Sequence, residues 1–170
     1  MLRDWKRCAL TLLIIACGPA AAENGWDGDR EVDQRGVLVL ASPYTYHYSP
    51  ASSGEERRRP WLFGVAAVET DGRMAGGAAF SNSFGQPCAY GFVGHRYVEP
   101  FGWQRTYWSW TAGLVYGYVP PYEDKLPINV NGWAPVVLPT VGYQLTRNFS
   151  AELVLLGTSA LMFTITFRAP

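Results

Sequence analysis

Residues 161–168, LMFTITFR, change character at every step. Leu161, Phe163, Ile165 and Phe167 fall on one side, and Met162, Thr164, Thr166 and Arg168 on the other. Residues 107–118 do the same: Trp108, Trp110, Leu114, Tyr116 and Tyr118 oppose Ser109, Thr111, Gly113 and Gly117. Successive side chains of a strand point to opposite faces, so each segment is a strand with one large apolar face and one small one. A soluble sandwich would bury the apolar face and put charge on the other, but here the other face is small and neutral. An apolar outer face with aromatic ends, wrapped around small and polar groups, is the pattern of a barrel in lipid. Hydrocarbon offers no hydrogen bonds to backbone groups, so strands cross it only as a closed ladder.

From Gly36 onward, turn signals divide the chain into eight such segments: 37–48, 61–70, 74–83, 88–98, 103–118, 133–145, 149–156 and 160–168. Most supply the roughly 9–11 residues that a membrane-crossing strand needs. The predicted fold is an all-β, eight-stranded antiparallel transmembrane barrel over 37–170, with a soluble eight-stranded barrel as the alternative. Only 16% of residues are charged, against about 25% in ordinary soluble domains. The formal net charge of zero gives no argument for nucleic acid.

Residues 1–22 read as a signal peptide. MLRDWKR is basic, CALTLLIIAC is an apolar stretch too short to span a bilayer, and GPAAA ends at a small-residue cleavage site after Ala22. IIAC also fits the pattern before a lipid-modified cysteine, which leaves Cys17 as an alternative acceptor. Residues 23–36 are then a short periplasmic segment, helical or irregular. Cys8 and Cys17 leave with the signal and Cys88 stands alone, so no intrachain disulfide framework is expected. His47 and His95 have no neighbouring metal-ligand spacing, and no metal or cofactor is expected.

Proline lacks the N–H that a ladder needs. Pro43, Pro60, Pro135 and Pro139 therefore mark places where neighbouring strands are not bonded, and such gaps would admit a lipid tail sideways. For Pro43 and Pro60, a strand end beside a loop is an equal alternative. With the N-terminus periplasmic, strand one runs outward and ends at His47, and strand three runs outward and ends at Asn82-Ser83. One strand separates them, so at about 4.8 Å per strand the backbones lie roughly 10 Å apart. An imidazole and a hydroxyl at one rim are the minimum for acyl transfer. His95 falls at the opposite rim and is read as structural or interfacial. Arg57, Arg58 and Arg59 lie in the outer loop, either as a solvated run or as forks for phosphate. Trp61, Trp103, Trp108, Trp110 and Trp133 fit interfacial girdles.

Several motifs, in order, resemble the outer-membrane lipid A palmitoyltransferases, the PagP family: TYHYSP at 45–50, RRPW at 58–61, AAFSNS at 78–83, TAGL at 111–114 and APVVLPTVGY at 134–143. The last is the most specific. The resemblance implies a barrel that moves a palmitoyl chain from a phospholipid to a lipid A hydroxyl, with the chain held in an interior pocket. It implies His47 and Ser83 as catalytic residues and Asn82 at the family's aspartate position. It implies Gly91, taken as inward-facing on strand four, near the glycine that selects chain length, and lateral lipid entry at the proline-marked gaps. Asn82 cannot carry the charge that would stabilise an imidazolium, but an amide can orient a histidine or donate to an oxyanion. The expected partners are a phospholipid donor, a lipid A acceptor and outer-membrane lipid, with the chain a monomer in the bacterial outer membrane. The alternatives are a non-catalytic lipid-binding or structural barrel, and an acyl hydrolase that releases the chain to water.

Overall fold

The computed structural model describes residues 35–48 and 58–169. The signal peptide, nearly all of the periplasmic segment and Arg57 lie outside the described residues. Eight strands follow in chain order: β1 (Gly36–His47), β2 (Leu62–Val68), β3 (Arg73–Ser81), β4 (Pro87–Val98), β5 (Thr106–Tyr116), β6 (Trp133–Gln144), β7 (Phe149–Leu156) and β8 (Ala160–Arg168). Each pairs antiparallel with the next, and β1 closes on β8. The fold is an all-β, closed eight-stranded antiparallel barrel. β5 is shorter than the sequence suggests, because Arg105 (φ 63°) and Gly117 (φ 130°) turn the chain at its two ends.

The alternation sorts side chains as expected. On β8, Met162, Thr164 and Thr166 are buried while Phe163 and Ile165 are exposed. Val65, Val93, Leu114, Val137 and Val141 are exposed on the outer surface. Aromatic pairs frame this band. Toward the end of the barrel where β1 finishes lie Tyr116–Trp133, with centroids 4.9 Å apart, and Tyr44–Phe163, at 5.8 Å. Toward the other end lie Tyr97–Trp108 at 4.5 Å and Phe149–Phe167 at 5.0 Å. Two aromatic girdles around an aliphatic waist are the surface of a barrel that crosses a bilayer with its strands.

The interior divides by polarity. Leu38, Ala66, Val68 and Met74 form an apolar cluster, with Leu40 and Phe92 packed against it. Across the lumen, Arg96 Nη2 lies 3.2 Å from Glu152 Oε1, and both side chains are almost fully buried. Tyr107 donates its hydroxyl to the same carboxylate oxygen at 2.7 Å, and the Arg96 guanidinium sits 4.1 Å from the Tyr107 ring centroid. Gly142 makes this possible. A Cβ there would run into Cζ of Tyr107, so the ring occupies the space that any other residue would fill. The Val-Gly-Tyr of β6 thus has a packing reason.

Two substitutions test this interior by urea unfolding in detergent micelles. Gly142→Ala should destabilise the barrel by about 1–3 kcal/mol through overpacking. Glu152→Leu leaves Arg96 buried without its partner and should cost about 3–5 kcal/mol.

Candidate functional site

β1 carries one more residue than the strand it pairs with. Ala41 lies opposite Ile165 and Tyr44 opposite Phe163, so three steps on β1 match two on β8. This is a β-bulge at Pro43. The Ser42 hydroxyl donates to the Phe163 carbonyl at 2.8 Å, satisfying an acceptor at the bulge. The extra residue reverses which side chains face in. Leu38 and Ser42 are buried before it, whereas beyond it Tyr44 and Tyr46 are exposed and Thr45 and His47 are half-buried. Without the bulge, His47 would share the outward face of Val37 and Val39. The chain is then pinned past His47: Tyr48 donates its amide to Ser159 O (3.2 Å) and its hydroxyl to Gly157 O (2.9 Å), in the β7–β8 turn.

Ser83 stands in the turn after β3, and Asn82 builds that turn. The Asn82 side chain is buried. Its Oδ1 accepts from the amides of Phe84 (3.0 Å) and Gln86 (2.9 Å), and its Nδ2 donates to Gln86 Oε1 at 3.0 Å. A short polar side chain bonding the backbone ahead of it is how asparagine nucleates turns. Gln86 in turn donates to Val119 O at 2.9 Å, and Phe84 stacks on Tyr122 with centroids 4.1 Å apart. The β5–β6 loop therefore braces the serine turn from one side. From the other, the Arg58 amide donates to Ser83 O at 2.8 Å.

These two arms bring His47 Nε2 to 2.7 Å from Ser83 Oγ. β2 intervenes in the barrel order but is short, so the two side chains meet beyond its start. A hydroxyl at hydrogen-bond distance from an imidazole is the arrangement of a nucleophile and its base. Asn82 lies beside this pair, and its side-chain hydrogen bonds run into the turn.

The ladder is interrupted at the same rim. The β1–β2 pairing stops at Ser42 opposite Leu62, so Tyr44–His47 are paired on the β8 side only, Pro43 in the bulge is paired on neither, and Pro60 precedes β2. The β6–β7 pairing begins at Thr140 opposite Val154, so Ala134–Pro139, including Pro135 and Pro139, are paired only with β5. All four prolines thus flank two breaks in the half of the barrel that holds His47 and Ser83.

Two other residues singled out in the sequence lie elsewhere. His95 is at the opposite rim, its ring 4.3 Å from that of Tyr97. Near it, the Arg73 amide and guanidinium hold the Asp71 carboxyl below its ordinary pKa. Gly91 faces outward, not into the lumen, and corrects the expectation of an inward glycine. Cys88 and Tyr90 are buried and no bulge interrupts β4, so residues 88, 90 and 92 take the inner face and 91 the outer. Gly91 is exposed, and a Cβ added to it would meet nothing within 4 Å. At that depth the lumen holds the Tyr90 and Phe92 rings, with centroids 5.0 Å apart.

Sequence reasoning did not single out Gln86, Tyr48 or the bulge. The Asn-Ser-Phe-Gly run was a signal for the Asx turn, because it puts asparagine three residues before a glycine, and Gly85 adopts φ 86°. Just past β5, burial pushes the Tyr118 phenol up to about 12, with a smaller contribution from Cys88. Among the described residues, no cluster of three or more His, Cys, Asp or Glu side chains forms a metal-ligand set. No protein-family model and no curated protein matches this chain.

Asn82→Ala removes three hydrogen bonds from the serine turn. It should lower unfolding stability by about 1–3 kcal/mol and erase the nitrogen NMR signature of the His47–Ser83 bond. Asn82→Asp keeps both backbone acceptances and should preserve that signature.

Proposed function

We propose that this protein is an outer-membrane acyltransferase that moves a palmitoyl or similar long acyl chain from a phospholipid to lipid A. The observation that carries the proposal is the 2.7 Å approach of His47 Nε2 to Ser83 Oγ. The two ladder breaks in the same half of the barrel support it, because each offers a tail in the membrane a sideways path toward that pair. The ordered motifs shared with the PagP family point the same way.

In the proposed reaction, His47 Nε2 takes the Ser83 hydroxyl proton as Oγ attacks the ester carbonyl of the donor. Collapse of the tetrahedral intermediate breaks the ester C–O bond. The departing glycerol oxygen receives the proton from the imidazolium, leaving a lysophospholipid and an acyl-serine. A lipid A hydroxyl then enters, gives its proton to His47 and attacks the acyl-serine. Ser83 leaves and is reprotonated from the imidazolium. Asn82 is a positioning residue in this scheme: it fixes the turn that aims Ser83. If water took the place of the lipid A hydroxyl, the same site would act as a hydrolase.

Mass spectrometry of lipid A from cells with and without the protein tests the proposal. Expression should add one acyl chain. His47→Ala and Ser83→Ala should each abolish the addition, while the barrel keeps its heat-resistant mobility on gels. Free fatty acid without acylated lipid A would assign the hydrolase. A folded barrel that changes neither product would overturn the enzymatic reading.

A further inference from the structure

Arg58 lies just before β2 and beside the serine turn. Its amide donates to the carbonyl of Ser83 at 2.8 Å, which ties its backbone to the serine itself. Its side chain lies across Gly85 in the serine turn. A Cβ at Gly85 would stand 2.8 Å from Cδ of Arg58, 3.3 Å from Nε and 3.4 Å from Nη1. The stem therefore rests in the space left by a glycine whose φ of 86° the turn requires. The side chain is exposed, and its guanidinium makes no hydrogen bond or ion pair with the described residues. A planar cation with open donors, braced beside a nucleophile, is built to hold an oxyanion in a fixed place.

We infer that Arg58 binds the phosphate of the glycerophospholipid that delivers the acyl chain. This inference rests on the acyl-transfer site proposed above and specifies its donor. In a glycerophospholipid only the glycerol carbons separate the phosphate from the reacting ester. A phosphate-binding group must therefore lie close to the nucleophile, and Arg58 is bonded to the nucleophile's own residue. Arg58 thus sets the register of the donor: phosphate on the guanidinium, ester at Ser83 Oγ, tail toward the lumen.

The test uses the folded full-length protein in non-ionic micelles and two dialkyl-ether probes, which carry no ester and cannot turn over. One is a dialkyl glycerophosphoethanolamine and the other the matching dialkylglycerol without phosphate. Binding is read by tryptophan fluorescence. Wild-type protein should bind the phosphate-bearing probe at least tenfold more tightly. Arg58→Gln should weaken that binding about tenfold, the scale of a charge-assisted hydrogen bond, and leave dialkylglycerol binding unchanged. Arg58→Lys should stay within about threefold of wild type. Equal affinity of wild type and Arg58→Gln for the phosphate-bearing probe would overturn the assignment. So would displacement of that probe by millimolar inorganic phosphate, which would mark a free-phosphate site. Ser83→Ala should bind both probes normally. A phosphate preference that persists in a protein inactive toward lipid A would refute the acyltransferase and leave this site standing.

Discussion

The barrel is governed by the need to satisfy every backbone amide and carbonyl where no water can reach them. Closing β1 on β8 removes both edges of the sheet at once, and the rest of the architecture follows from that closure. The strands must be long enough, their number even, and their outward faces apolar. Under this rule an unpaired stretch of strand in the apolar zone is expensive, so each one has to be explained. The described strands leave two such stretches, and both lie in the half of the barrel that holds the imidazole and the serine. The opposite half pairs continuously and carries the buried ion pair. One half is therefore continuously bonded from strand to strand, and the other carries both interruptions.

Much of this was legible in the sequence, for a definite physical reason. β7 and β8 were readable to the residue, and β6 nearly so, because the Thr-Arg-Asn and Gly-Thr-Ser turns mark where they begin and end. β5 was overestimated at both ends, because aromatic residues continue past Tyr116 and before Thr106 into turns, and aromatic content does not mark where pairing stops. The rim shared by His47 and Ser83 followed from counting strands. Their direct contact did not, because it depends on a bulge. A one-residue insertion relative to a partner is a property of two strands, and neither strand shows it alone.

Gly91 illustrates the complementary error. On a strand rich in small residues, CAYGFVG, either parity looks plausible. The choice was settled by Tyr90, whose hydroxyl donates to Thr111 on the inner face of the neighbouring strand at 3.1 Å, and by Phe92, which packs on the apolar cluster. Large rings inside a small barrel contradict the simple rule of bulk outside and small groups within, and the resemblance that put Gly91 inward carried no information about them. Asn82 was read at the family's aspartate position, with a catalytic partnership weighed for it. The structure directs its amide into the turn, where its three hydrogen bonds order Phe84 and Gln86.

The bulge at Pro43 has a consequence for how such a site arises and disappears. Substitutions change a site by altering its chemistry, and they leave a visible mark at the residue concerned. Here the orientation of the imidazole is set by arithmetic: one residue more or fewer in β1 exchanges the lumen for the lipid at every position beyond it. Two descendants of one barrel could keep the same histidine, the same serine and nearly the same composition, and differ by a single codon in length several residues upstream. Comparing them column by column at the histidine would show identity, although only one of them aims the group at the serine. In barrels of this kind, gaps in an alignment within a strand are informative about reactivity, and they belong beside the catalytic residues when function is inferred.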